Sequence, residues 1–175
     1  YSAAGGGGGG AGSEGVGSHY TSGSTSLNSG AGAFSVQASF DGTLIFVTAY
    51  TGNTVSVIDA ATRTLKQTIT LSAGDFPWAA VPSSDNQRLY VTLNGSSGVK
   101  VFKLDNGSYV PDTSIGVSGR IDLNGTPVGA ALNRPVGTFA TGDVLYVANN
   151  VLNQVEVINT TTGVDRKSTR LNSSH

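Results

Sequence analysis

The chain has 175 residues, 25 of them glycine, none cysteine or methionine, and a formal charge of −1. Without cysteine there is no disulfide, no thiolate metal site and no haem attached through paired cysteines. No basic cluster precedes the last eleven residues, so binding nucleic acid through its phosphates has no footing, and no apolar run approaches the roughly 20 residues of a membrane helix. Only 12% of residues are charged, while Thr, Ser, Asn and Val are abundant. That mixture suits strands joined by tight turns, because β-branched side chains pack on pleated surfaces and Gly or Asn tolerates a positive φ. No segment carries apolar residues at a sustained helical spacing.

In chain order, residues 1–33 come first and contain an unbroken run from Gly5 to Gly10. Too few large apolar side chains lie there to offset the entropy of ordering, so a flexible segment is expected. A phosphate loop would need a strand before it, a helix after it and a Lys-Ser/Thr pair, and the sequence supplies none. The chain opens at Tyr1 with no initiator, which suggests removal of a leader or a frame already open upstream.

From residue 34 the sequence repeats. Leu44-Ile45-Phe46-Val47-Thr48 aligns with Arg88-Leu89-Tyr90-Val91-Thr92 and with Val144-Leu145-Tyr146-Val147-Ala148. Val55-Ser56-Val57-Ile58-Asp59 aligns with Val99-Lys100-Val101-Phe102 and with Val155-Glu156-Val157-Ile158-Asn159. Both sets are offset by 44 residues, then by 56. A period in the forties is the length of a four-stranded propeller blade. The first unit reads as strands 34–40, 44–50, 54–59 and 64–71, with Asp41-Gly42 and Thr51-Gly52-Asn53 as turns. The second runs from Trp78 to about Val117, its third strand turning through Asn106-Gly107 into an outer strand at 108–115. The expected organisation is a Gly-rich segment 1–33, a blade at 34–77, a blade with an extended connecting loop at 78–133, and an incomplete blade at 134–164. The fold class expected is all-β: a partial β-propeller of about two and a half blades, built from four-stranded antiparallel blades.

These strands resemble the YVTN family of propeller repeats, which pair a Tyr-Val-Thr-Asn strand with a Val-Ser-Val-Ile-Asp strand. Leu89-Tyr90-Val91-Thr92 and Leu145-Tyr146-Val147-Ala148-Asn149 match closely, and Phe46 replaces the tyrosine in the first copy. Family blades often open on a proline after a glycine, as in Gly74-Asp75-Phe76-Pro77, and Pro135-Val136-Gly137 is the expected equivalent in the third copy. The last eleven residues, 165–175, resemble a translated sequencing adapter and are read as a non-native tail. Setting them aside leaves seven basic and ten acidic residues, a charge of −3, and removes His175, one of the two histidines.

Propeller ligands usually sit at one mouth of the channel, on the loops that join strand two to three and strand four to the next blade. Here these are 50–53, 94–98, 150–153, 72–77 and 118–133, and the twelve extra residues of the longer repeat are expected in the last of them. The weak ligand-binding candidates are Trp78, Arg120, Asp122, Asn124 and Arg134. Asp122-Leu123-Asn124-Gly125 has the spacing of half a calcium loop but lacks the closing Glu, so a polar turn is the expected reading. Asn53, Asn94, Asn150 and Asn153 are expected to serve positive φ. Asp41, Asp85, Asp59, Asp105 and Asn159 are expected to hold turn amides. No catalytic or metal residue and no cofactor is expected.

The function expected is a non-catalytic binding or scaffold module of a secreted or cell-surface protein, extracellular or periplasmic. Its partners would be a protein or small molecule at the channel mouth and the remaining blades of its own full-length chain. The alternatives are a fragment of a lactone hydrolase, since Val101-Phe102-Lys103-Leu104-Asp105 resembles a run in 6-phosphogluconolactonase-type propellers, and the propeller part of a periplasmic redox protein.

Overall fold

The computed structural model describes residues 32–123, 125–133, 144–161 and 169–170, together with Ser24 and Leu27. All regular structure among them is strand. β1 (Ala33–Ala38), β2 (Leu44–Ala49), β3 (Thr54–Asp59) and β4 (Leu65–Thr70) form an antiparallel sheet in chain order. β5 (Pro77–Pro82), β6 (Arg88–Leu93), β7 (Gly98–Asp105) and β8 (Ser108–Pro111) form a second, in which β9 (Arg120–Asp122) also pairs with β7. β10 (Pro127–Asn133), β11 (Val144–Asn149), β12 (Gln154–Asn159) and β13 (Thr169–Arg170) form the third. The expected all-β architecture of four-stranded antiparallel blades is therefore the observed one.

The first hairpins share one turn device. Asp41 Oδ1 accepts from the Ser39 hydroxyl at 2.7 Å and the Thr43 N–H at 3.0 Å, while Ser39 Oγ accepts from Leu44 N–H. Ser83, Asp85, Gln87 and Arg88 repeat it in the second sheet. Asp59 holds the amides of Ala61 and Thr62, and Asn159 that of Thr161. Asp105 does not do this; it accepts from the Asn106 side chain. Its hairpin is a two-residue Asn-Gly turn with both residues at positive φ, which closes without help from a side chain.

Strand alternation gives each sheet two apolar faces. The trailing face of the first (Phe46, Val55, Val57, Ile69) packs on the leading face of the second (Ala80, Leu89, Val91, Phe102) as one core. The trailing face of the second (Tyr90, Val99, Val101, Ile121) packs on the leading face of the third (Leu145, Val147, Ile158) as another. Phe46 and Tyr90, 44 residues apart, hold the same seat in successive cores, and so do Leu89 and Leu145.

Three expectations change. The inner strand of the third sheet is β10, starting at Pro127 rather than at Pro135; Pro135-Val136-Gly137 lies outside the described residues. Pro127 pairs with Asn149 as Pro77 pairs with Leu93 and Ala33 with Ala49, each before a register shift, so Pro127 is the true equivalent. The outer strand of the second sheet is split. β8 covers the Phe102–Asp105 half of β7 and β9 covers the Gly98–Lys100 half, with residues 112–119 bulging out between them. Leu71 and Leu123 close equivalent positions through Asn53 O and Ser97 O. They stand 52 apart, so eight of the added residues sit in the bulge; the connection to the next sheet is two shorter, and six lie between β10 and β11. Finally, the third sheet carries an outer strand within the segment read as a tail, with Thr169 opposite Val155 and Arg170 opposite Gln154. A ladder of main-chain hydrogen bonds asks for no particular side chain, which is why sequence pattern did not announce it.

Candidate functional site

At the end of the inner strands where β1 and β5 begin, four aromatic rings meet. Phe34 and Trp78, 44 residues apart, occupy equivalent positions on neighbouring inner strands and touch edge to face, centroids 4.4 Å apart. Tyr50, just after β2, meets Phe34 at 5.5 Å and Trp78 at 5.9 Å, and stacks flat on Phe76 at 5.0 Å and 15°. Such pairs add about 0.5–1.5 kcal/mol each beyond the area they bury. Trp78, Tyr50 and Phe76 are half-buried and Phe34 is 49% exposed, so the cluster presents ring surface outward.

Phe76 is held in the left-handed region at φ 47°. A bulky residue there costs on the order of 1–3 kcal/mol and persists only where its surroundings fix it. Here its N–H donates to Asn53 Oδ1 at 2.9 Å, and its carbonyl accepts from Asn94 N–H at 3.0 Å. A methyl group at Gly95 would overlap the Gly74 carbonyl and the Phe76 ring, so only glycine leaves the ring its place. The Tyr50 hydroxyl donates to Asn94 Oδ1 at 2.9 Å, and Asn94 Nδ2 donates to Pro127 O at 3.4 Å, a polar row across three sheets. Asn94 thus bridges blades rather than serving positive φ as expected. The left-handed seats of these turns are Asn53, Ser97 and Asn153, and the Tyr50-equivalent position, which Asn94 and Asn150 occupy, is not one of them.

A charged network borders the rings. Asp75, 4% exposed, receives Lys100 Nζ at 2.6 Å, the Ser96 hydroxyl at 2.8 Å and the Ser72 N–H at 2.9 Å. Burial raises the pKa of this carboxyl, and the bonds from Lys100, Ser96 and Ser72 outweigh that, holding it below the usual carboxylate range. Arg120 joins the network through Ser96, donating to its hydroxyl at 3.2 Å and to its carbonyl, and through Asp122 at 2.5 Å.

The sequence candidates therefore fall into separate places. Trp78 lies in the aromatic cluster. Arg120 and Asp122 belong to β9, not to a connecting loop, and Arg120 is occupied in tying β9 to the β6–β7 turn. Asp122 faces Arg120 rather than forming half of a calcium loop, and no group of three metal-ligating side chains exists among the described residues. Asn124 and Arg134 lie outside the described residues. Sequence reasoning missed Phe34, Tyr50 and Phe76 as partners of Trp78; the 44-residue offset that aligned the strands also aligns Phe34 with Trp78.

Beside the network a groove of about 220 Å³, lined by Leu71, Lys100, Phe102 and Arg120 among others, runs between the outer strands of the first two blades. It is smaller than the ~300 Å³ at which small-molecule sites begin. Its two cations already have partners.

No family model matches the chain, and no curated protein does. Solved structures do. The chain is similar to the hydrazine synthase of Kuenenia stuttgartiensis, at 23% identity and a TM-score of 0.63, over 78% of this chain and 35% of that one. It is similar to the Swd1 β-propeller domain of Myceliophteria thermophila, at 16% identity and 0.58, over 82% and 40%. It is similar to the periplasmic gluconolactonase PpgL of Pseudomonas aeruginosa, at 21% identity and 0.57, over 78% and 38%. The chain thus spans well under half the length of these proteins, and at such identities the likeness speaks for architecture. The architecture is that of consecutive blades of a β-propeller.

Proposed function

We propose that the chain is part of a β-propeller binding module of the YVTN repeat type, outside the cytoplasm, whose ligand rests on the aromatic cluster at the channel end of β1 and β5. The observation that carries this reading is the strained Phe76, clamped by Asn53 and Asn94 so that four rings converge with one left half-open. Backbone strain of this kind gathers at ligand clamps. The ligand class that suits it is one with a flat apolar face, such as a pyranose ring or an aromatic side chain.

Each described carboxylate is already engaged. Asp41 and Asp85 cap hairpins, Asp59 holds a turn, and Asp75, Asp112 and Asp122 pair with cations. Glu156, 5% exposed, accepts from Asn149 and Gln154. That favours binding over acid–base chemistry at this end.

Trp78 is the only tryptophan, so its emission reports on the cluster. Titration with a panel of methyl pyranosides and aromatic dipeptides should give a saturable emission change for at least one probe. Phe34→Ala should weaken that binding tenfold or more, while the loss of its two ring pairs lowers stability by about 1–3 kcal/mol and circular dichroism still shows the strand fold. A panel with no saturable change sinks the reading.

The likeness to a periplasmic gluconolactonase supports a second reading, lactone hydrolysis. Base uptake on adding glucono-δ-lactone, faster than in buffer and lost on denaturation, would favour it.

A further inference from the structure

The two ends of the blade row are complementary. Every blade presents an aromatic residue and two valines on its trailing face, at Phe46, Val55 and Val57, then Tyr90, Val99 and Val101, then Tyr146, Val155 and Val157. In the first two blades these side chains are 0–3% exposed, because the next blade covers them. In the third, Tyr146 is 37% exposed and Val155 and Val157 are only half-buried. The leading face behaves in mirror fashion. Leu89, Val91, Leu145 and Val147 are fully buried against a preceding blade, whereas their equivalents in the first blade, Ile45 and Val47, are half-buried, and Val36 beside them is 69% exposed.

We propose that this 175-residue chain associates head to tail with a second copy, the Tyr146 face of one docking on the Val36 face of the other. The occupant follows from continuity with an interface the chain already makes twice. A trailing face of aromatic, Val and Val accepts a leading face of Ala or Val, Ile or Leu, and Val, and in a solution of this chain a second copy supplies that leading face. The polar row continues in register. Asn150 holds the seat from which Asn94 Nδ2 donates to Pro127 O, and Ala33 in the second copy holds the seat of Pro127. Unlike faces joined in this way make a heterologous contact, which closes as a ring or extends as a row.

Sedimentation velocity of the whole chain at sub-millimolar concentration should show association, read as a loss of monomer with rising concentration. Val36→Lys and Tyr146→Lys alter exposed side chains on opposite ends, and circular dichroism should show both still folded. Each variant alone should be monomeric. Mixed in equal amounts they should recover a dimer, because the intact Val36 face of one variant meets the intact Tyr146 face of the other. Three results overturn the proposal. The parent chain stays monomeric; only one of the two substitutions abolishes association, as a face pairing with itself would require; or the mixture fails to recover a dimer. If the lysine variants do not fold, Val36→Thr and Tyr146→Thr take their place in the same mixing test.

Discussion

Single residues decide the shape of the aromatic cluster. Gly95 sits where a methyl would run into the Gly74 carbonyl and the Phe76 ring, whereas Gly107, at φ 81°, faces open space. The two glycines are needed for different reasons, sterics at one and backbone sign at the other. Gly95→Ala should therefore lower stability by about 2 kcal/mol or more and change the emission of Trp78, because backbone must move. Gly107→Asn should cost only a few tenths of a kcal/mol, since asparagine tolerates the left-handed region. Thermal unfolding of both variants checks the difference in size and in kind. The need at Gly107 was legible in the sequence, because Asn-Gly between alternating strands is a local signal. The need at Gly95 was not. It arises from contact with residues about twenty positions away, which no local pattern encodes. The same holds for Asp75, whose three partners come from the β6–β7 turn, from β7 and from its own loop.

At the scale of elements, the second blade shows how an outer strand absorbs extra chain. Val101 N–H donates to Gly119 O and Val101 O accepts from Asp112 N–H, both at 2.9 Å, so the 112–119 bulge leaves and rejoins the sheet at one residue. Ile115 anchors it in the second core, and buried Asp112 ties it down by accepting from Arg88 Nε at 2.8 Å and from the Ser114 hydroxyl. Burial raises the pKa of Asp112, and the Ser114 and Arg88 bonds carry it below the ordinary range despite that. Asp112→Ala should cost about 2–3 kcal/mol, the Arg88 end being partly solvated. Hydrogen exchange should quicken at Gly119 and Ile121 while the amides of β2 and β3 keep their protection. Equal loosening everywhere would contradict this view of a locally pinned bulge. Strand two and strand three of each blade were plain in the sequence because burial on both faces fills them with apolar and β-branched side chains that recur at the same offsets. The outer strands were not. They are short, lie at the periphery and are held by main-chain bonds, so β9 and β13 left little trace in side-chain pattern.

Across the whole molecule, the carboxylates set the response to pH. Asp41 is lowered to about 2, by its hydrogen bond from Ser39 first and by those from Thr43. Asp75, Asp85 and Asp112 are lowered as well, their hydrogen bonds overcoming desolvation. Asp59 is lowered chiefly by its bond from the Thr62 amide. A group with a depressed folded pKa binds fewer protons folded than unfolded, so its contribution is present above the unfolded value near 4 and is lost as pH falls. Stability should therefore be level near neutrality and fall between about pH 4 and pH 2. Burial pushes Tyr109 up to about 12, which favours the folded form while the phenol is neutral and is lost as pH rises from about 10. Denaturant midpoints across the pH range test both limbs; a midpoint indifferent to pH below 4 would contradict the acid one. The propeller architecture itself was legible from the two offsets, since a repeat detected twice fixes both the unit and its order. The position of the third inner strand was not, because the longer hairpin after β10 shifts the count.

The pinched bulge also makes the second blade a natural place to add sequence. Its two stems are fixed to one residue of β7, so the chain between them does not set the spacing of the sheet or the path into β10. Lengthening a closed loop costs little, about 0.6 kcal/mol for each doubling. A peptide spliced into this bulge would be displayed on the outer rim, away from the aromatic cluster; Val117, although its side chain is exposed, is not the place for it, because its main chain pairs both ways with Arg120.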